Sequence, residues 1–278
     1  KHYITDPDAK VAITTGDLAA ELVKASDALP AGQGLAHMVV TQFTDAFDGA
    51  TTGPDAPPAA WHEWLLTRHA LPALAGGQTH AWDVAVSCEE PPPELTVGPS
   101  DMAILPYTSG TTGLPKGCIH LHASVMHNAM AGGLWNNATP DGVTLIVVPM
   151  FHITGLVAVM HGTVFTGATM VLMPRWDRDL AGELISRWKV SAWGNIPTMV
   201  IDLFASPNVK SFDLTSLRYM TGGGAAMPEA VAEKLRADGF TGDVKILTSC
   251  PACLQGLSRY DDDADTKADY IVVELAKH

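Results

Sequence analysis

Short runs of Val, Ile, Leu and Met alternate along this chain with longer segments whose apolar residues recur at helical spacing. Residues 10–15 (KVAITT) read as a buried strand. Gly16 and Asp17 then open a helix to residue 29, with Asp17 as its N-cap. Residues 38–43 (MVVTQF) form the next strand, and 48–59, rich in Gly, Thr and Pro, a loop. A helix is predicted over 61–71, stopped by Pro72, and a short strand over 81–87. Residues 89–100, with Pro91, Pro92 and Pro93 in a row, read as a connector. Beyond residue 101 the alternation becomes regular. Strands are predicted at 103–107, 144–149, 169–173, 191–195, 217–221 and 244–247. Helices are predicted at 123–135, 153–165, 180–188, 198–204 and 229–237. This pattern specifies an α/β fold, with mostly parallel sheets flanked by helices. It divides the chain into a first α/β subdomain with its Pro-rich connector (1–100), a second α/β subdomain (101–244) and a tail (245–278).

Bulk properties narrow the classes. The chain has 278 residues, of which 47% are hydrophobic and 17% charged, as a folded globular protein requires. A net charge of −13 argues against broad nucleic-acid binding. No apolar run reaches the length of a membrane span, the longest being interrupted by Gly155, His161 and Gly162. Four cysteines and no signal peptide point to a reduced cytoplasmic compartment. The chain opens on Lys1, as a fragment lacking its natural start would. Oligomeric state is not encoded in any pattern here.

Candidate chemistry concentrates in one loop. Thr108, Ser109, Gly110, Thr111, Thr112, Gly113 and Lys116 follow a predicted strand and precede a predicted helix. Glycines allow close backbone approach to a ligand, while hydroxyls, free N–H groups and a lysine suit phosphate oxygens. The loop is not a Walker loop, because Pro115 precedes Lys116 and Gly117 follows it. On composition alone it also fits a Ser/Thr/Gly-rich surface turn. Three further segments stand at strand-to-helix junctions, where open α/β sheets bind ligands. The first is 149–155 (PMFHITG), with Phe151 and His152; the histidine could instead bond to backbone at a helix entry. The second is 193–198 (WGNIPT), with Trp193 and Thr198, although Trp193 and Met199 also suit an ordinary core. The third is 221–228 (TGGGAAMP), with Gly222, Gly223, Gly224 and Ala225, which could be only a tight turn before Pro228 starts a helix.

The run Tyr107–Gly117 resembles the signature loop of the adenylate-forming (AMP-binding) superfamily: acyl-CoA synthetases, luciferases and peptide-synthetase adenylation domains. PMFH resembles the acyl-CoA synthetase segment P-L-F-H, GGGAAMP the segment G-G-A/G-x-x-P, and NIPT the segment V-P-T. Residues 3–10 (YITDPDAK) are similar to fatty-acyl-CoA ligases. The resemblance implies the N-terminal-domain core of that fold and the chemistry of a long-chain fatty-acid–CoA ligase. ATP and a fatty or other carboxylic acid would give acyl-AMP and then, with coenzyme A as co-substrate, acyl-CoA. By resemblance the 108–116 loop holds the β- and γ-phosphates, and Gly222 to Ala225 flank nucleotide and carboxylate. Phe151 and His152 border the thiol channel, and Trp193 and Thr198 line the acyl side. Mg2+ is implied by the ATP, and no residue is assigned as a metal ligand.

The resemblance runs from the start to about Val244 and then fails. The family's Y-G-x-T-E segment is not present, nor are the downstream ribose-binding aspartate, the hinge and the C-terminal lid domain with its catalytic lysine. The expectation is therefore a central fragment, weakly active or inactive. A non-catalytic nucleotide- or acyl-binding module is the alternative from another class. The tail carries a lone C-x-x-C at Cys250 and Cys253, without the second pair that a zinc site needs. Its sequence TSCPACLQGLSRY looks like the cysteine-rich end of FAD-linked D-lactate dehydrogenase-type oxidoreductases. That leaves a redox fragment as a third reading.

Overall fold

A computed structural model of the chain describes residues 1–53, 56–108, 113–222, 246–248 and 268–270. The chain divides into two units, Lys1–Thr96 and Val97–His278. No helix among the described residues is long and apolar enough to cross a membrane.

The first unit runs α1 (His2–Thr5), β1 (Val11–Thr15), α2 (Gly16–Asp27), β2 (His37–Thr41), α3 (His62–Leu66), β3 (Gln78–Ala81) and α4 (Trp82–Val86). Its strands form a parallel sheet in the order β1-β2-β3. Met38 and Val40 of β2 pack on Ala19 of α2, with Ile4, Leu35 and Leu74 closing the core. Removing each of the larger side chains, Ile4, Leu35, Met38, Val40 and Leu74, from water stabilises the unit by about 1.5–3 kcal/mol.

Three predicted elements of this unit change. Asp17 lies in the first turn of α2 and is not the N-cap; Thr15 holds that position without a side-chain bond. At the first turn the Asp17 carboxylate still faces the positive end of the helix dipole. The predicted 61–71 helix covers only His62–Leu66, and the chain is already extended at Thr67. The buried Gln42 explains the early stop. Its Nε2 donates to the His69 carbonyl at 2.9 Å, and its Oε1 accepts from the His69 N–H at 3.1 Å. The second bond takes the His69 N–H, which in a helix reaching residue 71 would donate to the Leu65 carbonyl. The predicted 81–87 strand is instead β3 followed directly by α4.

The second unit begins with two short antiparallel pairings. β4 (Met102–Ile104) pairs with β7 (His120–Leu121), and β5 (Tyr107–Thr108) pairs with β6 (Lys116–Gly117). The single strand predicted at 103–107 is thus broken at Leu105-Pro106, where proline has no N–H for a ladder. Then come α5 (His122–Trp135), β8 (Val143–Ile146), a π-helix (Thr154–His161), α6 (Gly162–Thr166) and β9 (Thr169–Leu172). α7 (Arg178–Trp188), β10 (Ala192–Asn195), α8 (Pro197–Phe204) and β11 (Tyr219–Gly222) complete the layer. The sheet order is β11-β10-β8-β9, parallel throughout. Beyond it, β12 (Ile246–Thr248) pairs in parallel with β13 (Ala268–Tyr270). The helix predicted at 229–237 lies outside the described residues.

Most boundaries in this unit fall within a few residues of the pattern. The helix predicted over 153–165 is the exception in kind. Thr154–His161 are π-helical, with the Gly162 N–H reaching back to the Val157 carbonyl. The segment is squeezed between two close approaches. A Cβ on Gly155 would lie 2.3 Å from the Pro149 carbonyl oxygen, and one on Gly194 of β10 would lie 2.4 Å from Val159 Cγ2. Glycine at these two positions lets the π-helix lie against the end of β8 and against β10.

Candidate functional site

β5 and β6 make the base of a hairpin whose tip is the hydroxyl-rich loop. Thr108 stands opposite Lys116, and Tyr107 opposite Gly117. The Cys118 N–H closes the base by donating to the Pro106 carbonyl at 2.9 Å. Directly paired residues in an antiparallel ladder keep their Cβ atoms about 5 Å apart, so the Thr108 hydroxyl and the Lys116 chain rise from one point. Both are exposed. Among the described residues no carboxylate comes within ion-pair distance of the Lys116 ammonium. Gly113 is described and exposed; Ser109, Gly110, Thr111 and Thr112 lie outside the described residues.

The other three motif segments emerge from adjacent strands of one sheet. β8 leads into Phe151 and His152, β10 into Thr198, and β11 ends on Gly222, paired with Asn195. Because the strands are parallel, all three segments leave at the same, carboxyl edge. The chain steps from β8 outward to β9, then returns to β10 on the other side of β8. The strand order therefore reverses between β8 and β10. A reversal of this kind opens a crevice outside the carboxyl ends of the two strands. Gly223, Gly224 and Ala225, together with Cys250 and Cys253, lie outside the described residues.

Each described side chain has a distinct setting. Phe151 is 89% exposed. His152 is exposed too, and its Nδ1 accepts from the Thr154 N–H at 3.2 Å. That bond occupies the Nδ1 lone pair, so the neutral ring carries its proton on Nε2, as an outward-facing donor. The backbone bond foreseen for a helix-entry histidine is present, and it leaves the other nitrogen for a ligand. Thr198 is exposed in the first turn of α8. Trp193, in contrast, is 1% exposed. Its ring stacks on Trp176 with centroids 5.8 Å apart and planes 8° apart. Trp176 Nε1 in turn donates to Asp202 at 2.8 Å, beside Arg178 at 3.2 Å. Trp193 is thus a core ring.

Asn195 was not singled out from sequence. It is buried at the carboxyl end of β10, where its Nδ2 donates to the Trp193 carbonyl at 3.1 Å. The signal was a polar residue closing an apolar run; only the burial shows that it faces the protein interior. Asp213, whose carboxyl the Lys189 ammonium and then the Thr215 hydroxyl hold low, sits beyond the C-terminal end of α7. The hairpin offers a hydroxyl and an ammonium, and the sheet edge offers backbone and the Thr198 hydroxyl, a donor set that suits an anionic ligand.

Comparison with known proteins follows the same outline. Residues 1–248 match the profile of a family described as AMP-binding enzyme. Residues 258–278 match a domain of unknown function (DUF3400), which lends nothing to the flavoprotein resemblance of the tail. The chain is 33% identical over 186 residues to 4-coumarate–CoA ligase 2 of Oryza sativa subsp. japonica, covering 62% of this chain and 33% of that protein. It is 34% identical over 136 residues to long-chain-fatty-acid–CoA ligase of Bacillus subtilis (strain 168), covering 48% and 24%. The chain thus spans a third or less of either relative. In fold it matches the N-terminal domain of FACL13 from Mycobacterium tuberculosis, with a TM-score of 0.59 at 23% identity over 86% of this chain and 61% of that one. It also matches O-succinylbenzoate coenzyme A synthetase from Bacillus subtilis, solved with ATP and magnesium, at 0.55 and 24% identity over 84% and 48%. The matched region takes in the hairpin and every strand whose carboxyl end carries a motif, and on that match this chain belongs to the AMP-binding enzyme family.

Proposed function

We propose that the chain supplies the ATP- and carboxylate-binding portion of an AMP-forming acid–CoA ligase. The observation that carries this reading is the convergence of three motif segments on the carboxyl edge of one parallel sheet, at the reversal between β8 and β10. In the reaction a carboxylate oxygen attacks the α-phosphorus of ATP. The bond to pyrophosphate breaks, and acyl-AMP forms. The thiol sulfur of coenzyme A then attacks the acyl carbon, and AMP leaves.

Such chemistry asks the protein mainly for positioning and charge stabilisation. Thr108 and Lys116, with Ser109, Gly110, Thr111, Thr112 and Gly113, would hold the β- and γ-phosphates. Gly222, Gly223, Gly224 and Ala225 would flank the nucleotide and the carboxylate. Phe151 would border the thiol channel, with His152 presenting Nε2–H as a donor; its tied-up Nδ1 gives it no role as a base there. Thr198 would face the acyl group, with Trp193 as buried backing. Mg2+ would neutralise phosphate charge. The hydroxyl and ammonium donors at the hairpin suit phosphate oxygens, and magnesium keeps few protein carboxylates, so no residue of this chain is assigned to it.

A fatty acid is the first substrate to test and 4-coumarate the second, after the two relatives. Because the chain spans a third or less of those ligases, these 278 residues should bind ATP but form thioester far more slowly than a full ligase. Pyrophosphate release with ATP, magnesium and each acid is the test. Slow, acid-dependent release supports the ligase reading. ATP binding by calorimetry with no acid-dependent release would favour a binding-only role, the second reading that this coverage allows. Absence of ATP binding contradicts both.

A further inference from the structure

We propose that His37 and His80 form a binding site for a borderline divalent cation, Zn2+, Ni2+ or Cu2+, on the sheet of the first unit. In the parallel register His37 of β2 lies opposite Gln78, and Val39 lies opposite His80 of β3. Residues two apart share a face of a sheet, so the two histidines are diagonal neighbours on the same side. His37 Nδ1 and His80 Nε2 stand 3.2 Å apart, with ring centroids at 5.4 Å and planes tilted by 37°. With Zn–N bonds of about 2.0–2.1 Å and a tetrahedral angle, two ligating nitrogens would be roughly 3.3 Å apart. The two rings already hold that separation.

Without a cation the contact is an N–H···N hydrogen bond, in which one ring gives its proton to the shared edge. A cation takes the place of that proton, which moves to the far nitrogen of its own ring. A tilt of the two rings about their side-chain bonds turns both lone pairs toward the metal. Imidazole donors favour Zn2+, Ni2+ and Cu2+, whereas Mg2+ and Ca2+ prefer oxygen. Among the described residues no third His, Cys, Asp or Glu joins the pair, so water fills the remaining positions. The strand ladder holds both Cα atoms, which limits what must be ordered on binding. Neither histidine belongs to the segments assigned to ATP or acid, so this site stands or fails independently of the ligase reading.

The test is calorimetric titration of the whole chain with Zn2+, Ni2+ and Mg2+, alongside the His37→Gln and His80→Gln variants and the double variant. His127→Gln, an exposed change on α5, is the control. The expected result is one saturable site for Zn2+ and Ni2+ but not for Mg2+, weakened at least ~10-fold by either single substitution and unchanged by the control. Nitrogen NMR of the wild-type rings gives a second readout that needs no variant to fold. Zn2+ should move the His37 Nδ1 and His80 Nε2 resonances together. Equal Zn2+ stoichiometry and affinity in wild type and double variant, or no coupled shift at those two nitrogens, would overturn the proposal.

Discussion

Replacing Gly155 with alanine should damage both stability and the site at the end of β8. The added Cβ would lie 2.3 Å from the Pro149 carbonyl oxygen, 2.7 Å from its carbonyl carbon and 2.8 Å from the Val148 carbonyl oxygen. A relaxed carbon–oxygen contact is about 3.3 Å or more, so the shortfall is about 1 Å. All three neighbours are backbone atoms and cannot swing aside as a side chain would. Relief requires either a shift of the 149–152 turn or loss of the first π-helical turn. The turn is tied to the helix by the bonds His152 N–H to Pro149 O at 3.0 Å and Leu156 N–H to His152 O at 2.9 Å. Strain of this kind costs about 1–3 kcal/mol. A displacement of about 1 Å at a positioning residue can cost roughly 100-fold in rate. Urea unfolding measures the first effect, and acid-dependent pyrophosphate release the second. Gly132→Ala is the matched control, because a Cβ there meets nothing within 4 Å on α5. It should stabilise by about 0.5–1 kcal/mol through helix propensity. If Gly155→Ala unfolds at the same urea concentration as wild type, the close packing of the π-helix on the β8 turn is refuted.

Three other outcomes are expected. Lys116→Ala should lower ATP affinity about 10- to 100-fold, the worth of one charge-assisted hydrogen bond, with the urea midpoint unchanged; calorimetry and unfolding separate the two. Asp177→Ala should cost about 1 kcal/mol in urea unfolding, because Asp177 Oδ1 caps α7 by accepting from the Asp179 and Leu180 N–H groups, both at 3.0 Å. The Lys189 ammonium and then the Thr215 hydroxyl hold the Asp213 carboxyl well below the usual carboxylate range. Its contribution to stability is therefore present above the ordinary carboxylate pKa of about 4 and is lost as pH falls below it. A small stability gap between wild type and Asp213→Asn at neutral pH should close on acidification and shrink with added salt.

The α/β alternation was legible because each strand carries its own local signal, a short β-branched or aliphatic run between turn residues. That is why 169–173 and 191–195 match β9 and β10 to within a residue or so at each end. Where the pattern misled, a non-local contact decided the outcome. Gln42, in a different segment, ends the 62–66 helix by taking the His69 N–H. The π-helix depends on the Gly155 and Gly194 approaches, which no periodicity in 153–165 encodes. The motif segments were legible as compositions. Their meeting on one edge was not, since it depends on the order β11-β10-β8-β9. Trp193 shows the limit from the other side. The resemblance put it on the acyl side and its residue type equally suited a core, and only the fold shows its burial and its stack on Trp176.

Photolabelling with 8-azido-ATP, followed by peptide mapping of the whole chain, tests the nucleotide site most directly. The azide sits on the adenine ring, so labelling should fall on the peptide containing residues 219–228, and excess ATP should abolish it. Saturable labelling confined to residues 1–96 would contradict a nucleotide site on the hairpin and the carboxyl edge of the second unit's sheet.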